Sequence, residues 1–349
     1  MHKPHNDIIN KPEAGYKASL KSRVIVAIIL LAILLPSIFL GSWVFFIVMS
    51  IFIVIAVLEM IKAPGKKYGW WVYVVSYPIV FGYVYWFVVK SNAAEYLLKP
   101  EAFTFSLEEY FGHLDISLIG IIVSLGVYLL IGILDKNFSF GDAGYFFLMT
   151  FLLGAGFQAF FFLRYYPFFM AGGPYQNTAW VFDLAGKNLV SNASFQYAFS
   201  ATFFIWALGG CMLNDTFAYF GGIYFGHHKL NVRVSPKKSW EGFFFGLIGT
   251  FACLMTMGLV LAYTGYPILP TLTLDHWYWI LVLSLAVPLL GSFGDLCLSL
   301  IKRYVGLKDF GHVLKGHGGI LDRVDSHLFV ALGVTILSIF ITNGWNFFI

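Results

Sequence analysis

The stretch Val24–Ile61, VIVAIILLAILLPSIFLGSWVFFIVMSIFIVIAVLEMI, decides the fold class. It is apolar almost throughout and too long for one membrane crossing, which takes about 20 residues. It breaks at the Gly41–Ser42 pair, so it reads as two adjacent spans, at 24–41 and 43–61. Windows of the same kind follow at 70–89, 116–134, 144–163, 197–213, 241–263, 277–300 and 327–345. The expectation is an all-α integral membrane protein with about nine transmembrane helices. Composition agrees: 59% of the residues are hydrophobic and 11% charged, against roughly 25% charged in a soluble domain.

Cationic residues orient these spans, because Lys and Arg accumulate on the cytoplasmic side. With a cytoplasmic N-terminus, 18 of the 22 basic residues fall in cytoplasmic segments, leaving Lys90, Lys99, Arg164 and Lys187 on the far side. The chain then divides into a cytoplasmic tail at 1–23, an N-terminal membrane region at 24–205 and a C-terminal region at 206–349. The last of these presents two polar cytoplasmic loops, 214–240 and 301–326. The net charge of +4 is scattered among short loops, which argues against a nucleic-acid partner. Cys211, Cys253 and Cys297 lie in apolar surroundings without metal-ligand spacing and read as buried small hydrophobes. The N-terminal segment lacks the apolar core and cleavage site of a signal peptide.

Against this apolar background, Ser299–Ser326, SLIKRYVGLKDFGHVLKGHGGILDRVDS, is dense in charge and glycine. Asp295, Ser299 and Lys302 follow one another at i, i+4 and i+7, on one face of a helix, with Arg303 beside them. A carboxylate at the membrane end of a span is costly, so Asp295 calls for a partner or a metal. Asp322 and Asp325 open the final span at i and i+3, and the loop between folds back through Gly311, Gly316, Gly318 and Gly319. Upstream, Asn214-Asp215 ends a span, and Ser235-Pro236-Lys237-Lys238-Ser239 forms a cationic turn before the next. Carboxylates among cations and glycines suit a polyphosphate with its divalent metal.

The run S-x-x-K-R-x4-K-D-x-G-x5-H-G-G-x2-D-R-x-D, at Ser299, Lys302, Arg303, Lys308, Asp309, Gly311, His317, Gly318, Gly319, Asp322, Arg323 and Asp325, resembles the motif of CDP-diacylglycerol synthases, or phosphatidate cytidylyltransferases. The NDTFAYFGG and SPKKSWEG segments resemble the family's preceding loop, and the similarity extends over about 206–326. One departure is Lys315, where the family often has proline. The resemblance implies a membrane enzyme that joins CTP and phosphatidate into CDP-diacylglycerol and pyrophosphate, in a polar cavity on the cytoplasmic side. It implies Mg²⁺ held by Asp295 and Asp322, with Asp325 supporting or holding a second cation. Lys302, Arg303, Lys308 and Arg323 would then neutralise phosphates, with Asp309 and His317 in the same catalytic group. Asn214, Asp215, Ser235, Lys237, Lys238, Ser239, Ser299, Gly318 and Gly319 would bind substrate. A multi-pass protein of a bacterial inner membrane is favoured, and homodimerisation is left open.

Plainer readings stand beside these. Asp295 alone could be a structural acid paired with Lys302 or Arg303, and Asp215 could cap its helix or pair with Lys237. Lys237 and Lys238 could merely set topology, and His227 and His228 read as a solvated loop pair. The rival functions are a CTP-dependent transferase or kinase acting on another lipid phosphate or isoprenoid lipid, and a cation-coupled transporter. A transporter would place charge near the bilayer midplane in two related halves, whereas here charge collects at one face and no repeat is visible.

Overall fold

The computed structural model describes residues 16–90, 116–172, 193–269, 271–311, 313 and 318–343. Among them are nine long α-helices: α1 Tyr16–Leu40, α2 Ser42–Lys62, α3 Trp70–Lys90, α4 Ile116–Leu134, α5 Phe140–Gly172, α6 Ala193–Phe225, α7 Trp240–Tyr263, α8 Trp277–Tyr304 and α9 Leu321–Asn343. Over its described residues each expected window falls on one of these helices, Gly41 excepted. The Gly41–Ser42 break is confirmed, with Gly41 at φ +60 separating α1 from α2. Five helical stretches are long and apolar enough to cross a membrane: Val44–Lys62, Phe140–Tyr165, Trp240–Tyr263, Leu274–Tyr304 and Leu321–Thr342. Three shorter apolar stretches accompany them, Ile28–Leu40, Trp70–Val84 and Gly120–Leu134. The protein is thus a helical, multi-pass membrane protein.

Helix α5 is the centre of the bundle. Its apolar window is 72% buried, whereas that of α7 is 22% buried. It packs against α2, α3, α4, α6 and α9. Edge-to-face rings seat it: Phe45 of α2 meets Phe161 and Tyr165 of α5 at 5.4 and 6.1 Å, and Phe204 of α6 at 5.6 Å. On the other side α6, α7, α8 and α9 pack on one another. Small residues let these helices approach, as membrane helices require in place of a hydrophobic drive. A Cβ at Gly210 would lie 2.7 Å from a Leu254 methyl, and one at Gly294 would lie 2.7 Å from Phe329 Cβ.

Two corrections concern the region expected as the 214–240 loop. The helix does not stop at Asn214-Asp215, since α6 continues to Phe225 and carries the NDTFAYFGG segment as regular helix. The remainder is an antiparallel hairpin of β1 Lys229–Asn231 and β2 Ser235–Ser239 rather than a simple turn. It leads directly into α7, whose N-cap is Ser239, with its Oγ accepting from Gly242 N at 3.2 Å. The 62–70 link is tied to the start of α5 by Asp142, which accepts from Lys66 Nζ at 2.6 Å and from Tyr68 Oη at 2.9 Å. Ser139 closes this network, its amide and hydroxyl both donating to Asp142 Oδ2.

Candidate active site

The end of α8 and the start of α9 bring the charged residues of the two helices together. Lys302, buried in the last turn of α8, donates to Asp322 Oδ1 at 3.2 Å and to Asp325 Oδ2 at 3.3 Å. One turn earlier, Ser299 Oγ donates to Asp295 Oδ1 at 3.4 Å, so the i, i+4 face predicted for this segment is present. The other oxygen of Asp295 pairs with Lys238 Nζ, reaching from β2. The partner of Asp295 is therefore Lys238, not Lys302 or Arg303. Asp295 also lies within electrostatic reach of Asp215, Asp325 and Lys302. Four carboxylates and two ammonium groups thus share one polar neighbourhood where α6, β2, α8 and α9 meet.

Asp322 has a second task. Its Oδ2 accepts from Phe310 N at 2.8 Å, Gly319 N at 3.0 Å and Gly311 N at 3.4 Å. A single oxygen therefore gathers both ends of the loop between α8 and α9. Gly318 turns that loop with φ +79, in the left-handed region that favours glycine. His317, Lys315 and Gly316 lie outside the described residues.

Other expected residues are placed differently. Asn214 is 2% exposed and donates to Ser292 Oγ at 3.1 Å, while Gly246 packs against its other side-chain atom, Oδ1. It joins α6, α7 and α8 rather than facing an open cavity. Asp215, one residue on, is exposed and within electrostatic reach of Asp295, Lys238 and Arg323. Ser239 spends its hydroxyl on the α7 cap, and Ser235 pairs with Asn231 in the hairpin. Arg303 turns away from the acids: its Nε donates to Val234 O at 3.3 Å and its Nη1 to Leu307 O at 2.7 Å. That ties the hairpin to the end of α8. Lys237, Lys308 and Arg323 are exposed, Arg323 within electrostatic reach of Asp215, and Asp309 is half-buried. His228 is not merely solvated, since its Nδ1 lies 2.6 Å from Glu241 Oε1.

One residue escaped the sequence reading. Glu59 of α2, 4% exposed, accepts from Leu321 N at 2.8 Å and Ile320 N at 3.1 Å. A lone carboxylate inside the apolar window Val44–Lys62 was the available signal, because such a group needs partners within the protein. Beside it opens a cavity of about 590 Å³, lined by Ile55, Leu58 and Lys62 of α2 and by Asp309, Phe310 and Val313 of the loop.

The residues suit a divalent cation in chemical type. Hard carboxylate oxygens lie close together, and three of the acids, Asp295, Asp322 and Asp325, are held by ammonium groups that a cation would displace. Among the described residues no three His, Cys, Asp or Glu side chains lie close enough to cage an ion by themselves.

A family model described as the cytidylyltransferase family matches residues 21–341. The chain is 43% identical over 124 residues to the chloroplastic phosphatidate cytidylyltransferase 5 of Arabidopsis thaliana, a match covering 34% of this chain and 27% of that protein. It is 32% identical over 225 residues to the phosphatidate cytidylyltransferase of Staphylococcus epidermidis, covering 64% of this chain and 70% of that one. With the enzyme of the same name from Staphylococcus haemolyticus it shares 28% identity over 321 residues, or 92% of this chain and 99% of that one. The match to the family model takes in α2, the hairpin, α8, α9 and the loop between them, and the chain belongs to the cytidylyltransferase family.

Proposed function

We propose that the protein transfers CMP from CTP to phosphatidate, forming CDP-diacylglycerol and pyrophosphate. The observation that carries this reading is the cluster of Asp295, Lys238, Lys302, Asp322 and Asp325, built where four elements of a cytidylyltransferase-family chain meet. An oxygen of the lipid phosphate attacks the α-phosphorus of CTP. The bond from that phosphorus to the β-phosphate bridging oxygen breaks, and pyrophosphate carries the electron pair away. The nucleophile is already anionic, so the protein's work is alignment and neutralisation of charge.

The side chains divide that work as follows. Asp295 and Asp322 would hold Mg²⁺, with Asp325 supporting them or taking a second cation. Held there, a divalent cation would supply charge stabilisation for the departing pyrophosphate. Lys302 and Lys238 keep the acids in place and supply positive charge near the phosphates. Lys237, Lys308 and Arg323, all exposed, receive the outer phosphates of CTP. The cavity between α2 and the 307–313 loop, apolar at Ile55 and Leu58 and cationic at Lys62, admits phosphatidate from the bilayer. Nine spans, a cytoplasmic N-terminus and a cytoplasmic site in a bacterial inner membrane complete the reading.

The test is turnover of radiolabelled CTP by the detergent-purified protein with phosphatidate and Mg²⁺. A chloroform-soluble CDP-lipid that requires both lipid and metal is expected. Label incorporated only with a different lipid phosphate would replace the acceptor, and none with any lipid phosphate would remove the nucleotidyl-transfer reading.

A further inference from the structure

We infer that Glu59 is a positioning residue of this active site, acting across the bundle on the backbone of the catalytic loop. The inference rests on the proposed activity for its kinetic consequence and on geometry alone for the contact.

Glu59 lies near the C-terminal end of α2, in the part of the chain that the motif does not reach. Its two carboxylate oxygens take separate amides of consecutive residues, Oε1 from Ile320 and Oε2 from Leu321. Leu321 is the first residue of α9, so its N–H has no partner within the helix. A negative group here also meets the positive end of the helix dipole. The arrangement sets the direction in which α9 enters, and with it the position of Asp322 and Asp325 in its first turn.

The same carboxylate explains two glycines of the motif. A Cβ on Gly311 or on Gly319 would collide with the Glu59 carboxylate group. Both backbone segments therefore lie directly against Glu59, and a side chain at either position would require its carboxylate to move. Asp322 holds the amides of Phe310, Gly311 and Gly319 from the other side. Four backbone N–H groups of the loop and the first of α9 are thus shared between two carboxylates. One of these, Asp322, is proposed to act on the metal. The other is 4% exposed and turned to the loop backbone. Glu59 acts on the reaction through Asp322 and its loop.

The experiment uses the full chain in detergent. Glu59→Gln keeps the size but offers an amide donor to one of the two N–H groups that now find an acceptor. At saturating CTP, phosphatidate and Mg²⁺ its kcat is expected to fall at least about tenfold, because small displacements of reacting groups are felt on that scale. The KM for CTP is expected to stay within about threefold, as positioning acts mainly on the transition state. Hydrogen exchange of peptides spanning 318–322 is expected to speed up while the rest of α9 keeps its protection. Normal kcat in a folded variant, or unchanged exchange at 318–322, overturns the inference. If Glu59→Gln does not fold, the same two readings are made on Glu59→Asp, one methylene too short to reach both amides. A wild-type protein inactive on phosphatidate would count against the proposed reaction, while the exchange comparison would still decide whether Glu59 holds the loop.

Discussion

Lys302 Nζ lies 3.2 Å from Asp322 Oδ1, and this contact joins the last turn of α8 to the first turn of α9 although 20 residues separate the pair. The ammonium is also 3.3 Å from Asp325 Oδ2, so one cation serves two carboxylates on the same helix face. All three residues are buried. Their desolvation is tolerable only because the charges are paired and hydrogen-bonded, and the loop inherits its shape from that requirement.

Lys302→Met is therefore expected to destabilise the protein by about 3–5 kcal/mol, the scale for removing one partner of a buried pair. Two carboxylates would then face each other without compensation. Thermal unfolding in detergent should show the loss, and added Mg²⁺ should recover part of it by taking the vacated charge position. An unchanged unfolding temperature would mean that Lys302 is not the counter-ion the geometry makes it.

Asp295→Asn should leave the fold intact, because Asp295 is half-buried and its partners Lys238 and Ser299 remain solvated or helical. Turnover should drop by about 100-fold or more, since altering even outer-shell partners of a metal site costs about 10–100-fold. Assay across a Mg²⁺ series checks the reason: the variant should require more metal for its residual rate. Near-normal turnover at low Mg²⁺ would leave Asp295 as only the structural partner of Lys238.

Gly318→Ala and Gly306→Ala separate backbone strain from crowding. Both positions have positive φ, +79 and +75, so each substitution costs about 1–2 kcal/mol in the left-handed region. At Gly306 nothing lies within 4 Å of the added methyl, whereas at Gly318 it would stand 3.0 Å from Asp322 Oδ2. Similar unfolding temperatures are expected for the two variants, with a clear loss of turnover only for Gly318→Ala. Equal turnover in the two variants would detach the Gly318 turn from Asp322.

The bilayer explains how much of this was legible. A span has to be long and apolar, so the windows at 24–345 could be read directly, and over its described residues each falls on a helix, Gly41 excepted. Polar residues at helix ends carry less information. Asn214-Asp215 lowers the local hydropathy and so resembles a span end, yet α6 continues because Ser292 gives Asn214 a hydrogen-bond partner and Asp215 reaches the polar cluster. The i, i+4, i+7 spacing placed Asp295, Ser299 and Lys302 on one face, but spacing within a helix says nothing of what faces it. Lys238 arrives from a hairpin and Glu59 from a helix 260 residues earlier, and both are products of tertiary folding. The glycines of the motif were recognisable as backbone positions. That Gly311 and Gly319 lie directly against the Glu59 carboxylate could be read only from the structure.

The Tyr68–Asp142 contact gives a pH prediction outside the membrane-spanning helices. Tyr68 sits in the link between α2 and α3, and its Oη donates to Asp142 Oδ1 at 2.9 Å. Burial, and then the bond to Asp142, hold its phenol above the ordinary value of 10.0. A raised value means that the folded protein keeps the proton longer than the unfolded chain does. The contact therefore contributes fully below pH 10 and loses its contribution as pH climbs above 10 toward the folded value. Tyr68→Phe should cost about 1.5–3 kcal/mol at neutral pH, the worth of a hydrogen bond to a charged group. That difference should narrow as the pH is raised from 9 to 11. Unfolding temperatures of the two proteins across that range make the check, and parallel curves would show that the phenol proton does not hold Asp142.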